Sequence, residues 1–100
     1  MGLYQGSWVV DGQDVPNGYQ QLVASDISSA VALTVPAGTR FAVLQAEGDD
    51  VRYRDDGVNP TGSVGMIIAV GTPVVYTANP TALKVIRESA SSILNVSYYK

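Results

Sequence analysis

The chain is 100 residues long, 46% apolar and only 15% charged, with a formal net charge of −3, enough for one hydrophobic core without metal or disulfide support. Histidine and cysteine are both missing, which excludes Ser-His-Asp and Cys-His catalysis, a disulfide scaffold and the commonest metal ligand. The six basic residues, Arg40, Arg52, Arg54, Lys84, Arg87 and Lys100, are scattered, so no basic stripe exists for nucleic acid, and no apolar run approaches the ~20 residues of a membrane span.

Residues 1–18 read as an extended N-terminal arm. Gly2, Gly6, Gly12 and Gly18 punctuate it, Pro16-Asn17-Gly18 signals a turn, and Trp8-Val9-Val10 is its one apolar knot. The alternative is a first strand paired into the sheet. From Tyr19 onward short strands alternate with turn residues. Tyr19 to Ala24 comes first, then Ala30 to Val35, closed by Pro36-Ala37-Gly38. Arg40 to Glu47 stops at Gly48-Asp49-Asp50, and Val51 to Arg54 at Asp55-Asp56-Gly57. Val64 to Val70 ends at Gly71, Pro73 to Ala78 at Asn79-Pro80, and Ala82 to Glu88 and Ile93 to Tyr99 follow.

Alternation with period two supports these strands. Val31, Leu33 and Val35 share a face, Leu83 and Val85 oppose Lys84, and Leu94, Val96 and Tyr98 oppose Asn95 and Ser97. Met66, Ile68 and Val70 share a face, but Ile67 and Ala69 opposite are also apolar, so that strand is expected to be covered on both sides. The one helix-like start, Ser25-Asp26-Ile27-Ser28-Ser29-Ala30-Val31, turns β-branched and meets Pro36; nothing beyond a turn is expected there. The expected fold is all-β. Residues 19–100 form an antiparallel β-sandwich of about eight short strands, with the jelly roll as its topology.

Little here suits catalysis. Gly62-Ser63-Val64-Gly65 lacks the lysine and spacing of a phosphate loop. Glu47, Asp49, Asp50, Asp55 and Asp56 bracket Val51-Arg52-Tyr53-Arg54 and offer either calcium ligands or a glycosidase pair. They equally suit turns, where Asp caps its own backbone and Gly permits positive φ. Arg52 and Arg54 lie on one face and are placed to pair with these acids. Turn chemistry is the expectation, so no catalytic, cofactor or metal site is assigned. Tyr4, Trp8, Tyr19, Tyr53, Tyr76, Tyr98 and Tyr99 suit either a sugar-stacking platform or interface anchors, although Tyr also simply fits half-buried strand positions. Tyr98 and Tyr99 must point to opposite faces. A chain this poor in charge has large uncharged surfaces to cover, so a homo-oligomer, dimer or trimer, is expected. The candidate interface residues are Tyr4, Trp8, Val9, Val10, Ile67 and Tyr99.

Three segments carry a family resemblance: Val35-Pro36-Ala37-Gly38-Thr39-Arg40-Phe41-Ala42-Val43-Leu44-Gln45-Ala46-Glu47-Gly48, then Val51-Arg52-Tyr53-Arg54-Asp55-Asp56-Gly57-Val58-Asn59-Pro60-Thr61, and the ending Leu94-Asn95-Val96-Ser97-Tyr98-Tyr99. Over residues 19–100 the chain resembles small jelly-roll structural proteins of tailed bacteriophages, of the capsid cement or decoration type. The resemblance implies a non-enzymatic virion protein, assembled in the host cytoplasm, that bridges major capsid or other virion subunits. It carries over no binding residues. A tail or fibre module recognising glycan or protein through surface tyrosines is the alternative.

Overall fold

The computed structural model describes residues 14–100; Tyr4, Trp8, Val9 and Val10 lie outside them. Eight strands run in order: β1 (Pro16–Leu22), β2 (Val31–Ala32), β3 (Phe41–Glu47), β4 (Val51–Arg54), β5 (Met66–Ile68), β6 (Val74–Tyr76), β7 (Lys84–Arg87) and β8 (Ile93–Tyr99). They form two four-stranded antiparallel sheets, β1-β8-β3-β6 and β2-β7-β4-β5. The pairing is nested. The first strand pairs with the last, the second with the seventh, the third with the sixth and the fourth with the fifth, while β3–β8 and β4–β7 contacts complete each sheet.

Alternation places the core between the sheets. From the first sheet Leu22, Ala42, Leu44, Ala46, Tyr76, Leu94, Val96 and Tyr98 turn inward; Val51, Ile68 and Val85 face them from the second. Leu33 and Leu83 flank these strands, and Ile27 fills one end of the core from the loop after β1. That loop is a turn and no more, as expected: Asp26 Oδ2 accepts the Val23 N–H at 2.9 Å, and the Ile27 carbonyl accepts Arg87 N–H at 3.0 Å. A single 3₁₀ turn, Pro80–Ala82, is capped by Asn79, whose side chain accepts Thr81 N–H.

Several boundaries differ from expectation, each for a local reason. β1 begins at Pro16, inside the segment taken for the arm, and Val15 exchanges two hydrogen bonds with Lys100. Pro16-Asn17-Gly18 is a bulge in this strand rather than a turn. Glycine serves turns and bulges alike because it tolerates a positive φ, here 140° at Gly18. Asn17 then reaches across to Ala37 O and Thr39 Oγ1. β2 pairs over two residues only, because the Thr34 N–H is taken by the Gln20 side chain at 3.0 Å. β5 keeps three of the seven residues expected: Gly65 stands at φ 146° before it, and Val70 N–H is taken by Asp50 Oδ1.

Candidate functional site

Three places combine exposure with chemistry. The first is the acidic stretch. Pairing of β4 with β7 opposes Val51 to Arg87 and so brings Glu88 beside Asp49 and Asp50, with a carboxylate oxygen of each within 4.8 Å of the others. Protein donors already hold these groups. Asp49 Oδ1 accepts Asp50 N–H at 2.8 Å and Asp50 Oδ1 accepts Val70 N–H at 3.0 Å. A hydrogen bond from Ser89, then the Asp50 N–H, holds the Asp49 carboxyl below its ordinary range. Arg52 Nε stands 2.8 Å from Glu88 Oε2, off the line of a hydrogen bond, so the contact is an ion pair; its Nη1 donates to Gly65 O. Asp55 accepts the Tyr76 hydroxyl at 2.7 Å, and Asp56 takes a two-pronged contact from Arg54, which holds its carboxyl low. Arg54 thus finds one of the expected acids, whereas Arg52 pairs with Glu88, which lies outside the acidic stretch and reaches it only through the β4–β7 pairing.

The second place surrounds β5. Among the described residues, five of the eight large hydrophobic residues that stand exposed fall within residues 58–70: Val58, Val64, Met66, Ile67 and Val70. The strand expected to be covered on both sides has only Ile68 buried; Met66 is 62% exposed, and Ile67 and Val70 48%. Three paired residues are too few to carry Met66 and Val70 under the opposite sheet. Ile67, one of the candidate interface residues, points outward. Tyr99, another of those candidates, is covered instead: it lies on the outer face of the first sheet, 8% exposed and stacked on Phe41 with centroids 5.0 Å apart. Its neighbour Tyr98 takes the inner face.

The third place is the rest of that outer face. Register aligns two rows across three strands, Tyr19–Ser97–Val43 and Gln21–Asn95–Gln45. Tyr19, Val43, Gln45, Asn95 and Ser97 line an open depression of about 110 Å³. Asn95 is fixed from three sides: its Oδ1 accepts the Tyr19 hydroxyl at 2.5 Å and Gln21 Nε2 at 3.0 Å, and its Nδ2 donates to Glu47 Oε1 at 2.9 Å. Alternation in β8 signalled that Asn95 and Ser97 face outward. The strands flanking them, and therefore Gln45 and Tyr19 as their neighbours, follow only from the register. Family models, curated proteins and solved structures give no match to the chain.

Proposed function

We propose that the chain is a non-enzymatic structural subunit that works by assembly, as a capsid cement or decoration protein of a tailed phage. One observation carries the assembly: the concentration of exposed apolar side chains around β5, the edge strand of its sheet among the described residues. Exposed apolar side chains gathered in one segment mark interaction surfaces, and an open edge strand invites pairing with another chain. The nested strand pairing supports reading the two sheets as a rolled-up long hairpin, the plan of a jelly roll. That topology and the resemblance of residues 19–100 support the virion role.

The partner at β5 is a second copy of the chain, in a dimer or trimer, with the major capsid protein as the surface the oligomer bridges. Sedimentation velocity over a concentration series tests the first part. The wild-type chain is expected to run as an oligomer and Ile67→Asp as a monomer with an unchanged far-UV circular dichroism spectrum, because Ile67 is exposed. A wild-type monomer throughout overturns self-assembly. Co-sedimentation with undecorated phage shells tests the second part, with binding expected and then lost in Ile67→Asp. The arm enters as a second contact through Trp8, and its truncation should stop at residue 13, since a cut at 18 removes the start of β1.

A further inference from the structure

The outer face of the first sheet is built unlike the β5 edge. Its two cross-strand rows differ in kind: Tyr19, Ser97 and Val43 make an aromatic and apolar row, and Gln21, Asn95 and Gln45 make a row of amides. Two residues of strand rise separate the rows by about 7 Å. Val43 is buried and floors the depression, while Tyr19 stays 64% exposed although its hydroxyl is tied to Asn95. A ring anchored at its tip with its face uncovered is a stacking surface prepared in advance. The bonds to Tyr19, Gln21 and Glu47 fix which way the Asn95 amide points. Gln45 and Ser97 make no side-chain hydrogen bond among the described residues, so their donors and acceptors are free for a ligand.

We infer that this face binds a neutral glycan, one pyranose ring lying against Tyr19 with its hydroxyls bonded to Gln45, Asn95 and Ser97. The occupant follows from the chemistry. A sugar offers an apolar C–H face for the ring and hydroxyls that both donate and accept, matching amides and a serine. No lysine or arginine lines the depression, and the carboxylate of Glu47 stands beside it, so an anionic ligand meets repulsion. The five lining side chains include no carboxylate, and glycoside hydrolysis needs a pair of them; the site binds and does not cut. It is shallow and open, smaller than the 300–1,000 Å³ of a buried small-molecule pocket, which suits one ring of a longer chain at an affinity on the order of 1 mM. The site shares no residue with the β5 edge and does not depend on the assembly proposed above.

An array of neutral oligosaccharides probed with the full chain, followed by NMR titration of the Gln45 and Asn95 side-chain amides with the best responder, tests the inference. Binding is expected, with shifts in those amides and none at Ile67. Tyr19→Ala should weaken it by about tenfold or more, and Tyr19→Phe, which keeps the ring, by much less. Tyr19 is exposed, so an unchanged melting temperature in both variants separates lost contact from lost fold. The inference is overturned if the array gives no neutral glycan, if only anionic glycans or proteins respond, or if Tyr19→Ala binds as the wild type does.

Discussion

The hydroxyl of Tyr98 donates to Gln20 Oε1 at 2.7 Å inside the core, across the β1–β8 ladder. The same oxygen accepts Thr34 N–H at 3.0 Å, so one glutamine joins the first sheet to the segment that follows β2. Tyr98→Phe removes one of these bonds and keeps the ring, and a loss of about 1 kcal/mol is expected. Gln20→Ala leaves the buried Tyr98 hydroxyl without its acceptor and frees the exposed Thr34 N–H to water, and should cost about 1–3 kcal/mol. Urea denaturation of the three proteins measures both; a smaller loss for Gln20→Ala than for Tyr98→Phe contradicts the bridging role.

Alkaline stability follows from the same side chain. Burial pushes the Tyr98 phenol up to about 12, and burial followed by the hydrogen bond to Asp55 does the same to Tyr76. Both values lie above the ordinary 10 of the unfolded chain, so the neutral phenols are favoured in the native state. Their contribution is fully present below pH 10 and is lost as pH rises toward 12. The melting temperature should therefore fall across that interval. Tyr76→Phe with Tyr98→Phe should flatten the fall while lowering the plateau at neutral pH. Equal slopes for wild type and double variant would show that other groups control it.

Two turn glycines share a backbone conformation and differ in surroundings. Gly48 and Gly57 have φ of 80° and 84°, but a β-carbon on Gly48 would stand 2.0 Å from Ser91 O, whereas one on Gly57 meets nothing within 4 Å. Gly57→Ala is expected to cost only the left-handed backbone, about 1–2 kcal/mol. Gly48→Ala adds a clash with main chain that cannot swing aside, for a total of about 2–5 kcal/mol. Denaturant midpoints compare them directly, and equal losses would mean that the Ser89–Ser92 loop yields.

The contrast also marks how far the sequence could be read. Gly48 and Gly57 announced their turns because Gly before or after Asp is a local signal; β3 and β4 were legible from the turn residues that bound them, and β8 from alternation. β2 and β5 were overestimated, because what ends them is distant: Gln20 captures Thr34 N–H, and Asp50 captures Val70 N–H. Ser92 is one of three serines in the 89–92 loop with no local signal to distinguish it, yet it is fully buried and donates to Asp50 O at 2.7 Å. The outer-face site was half visible. Asn95 and Ser97 were outward by parity, but their flanking by Tyr19 and Gln45 is a property of strand order, which no local pattern encodes.

Calcium is the remaining test of the acidic turns. Asp49, Asp50 and Glu88 have carboxylates close enough to share an ion, but Asp49 Oδ1 already accepts Asp50 N–H, Asp50 Oδ1 accepts Val70 N–H, and Glu88 Oε2 is ion-paired with Arg52. An ion would have to displace Arg52 or compete with its charge. Millimolar calcium is therefore expected to leave the melting temperature where chelator leaves it. An ion bound only by the native chain at a hundred times its dissociation constant adds ~2.7 kcal/mol, a rise of roughly 10 °C or more in a domain of this size. Asp50 supplies the discriminating variants. Asp50→Asn keeps an oxygen for Val70 N–H and should retain most of the stability, whereas Asp50→Ala releases the chain after β5 and should lower it by about 1–3 kcal/mol. A calcium-dependent rise in the wild type that disappears in Asp50→Asn would replace the turn assignment with a metal site, because the amide keeps the hydrogen bond and removes only the charge.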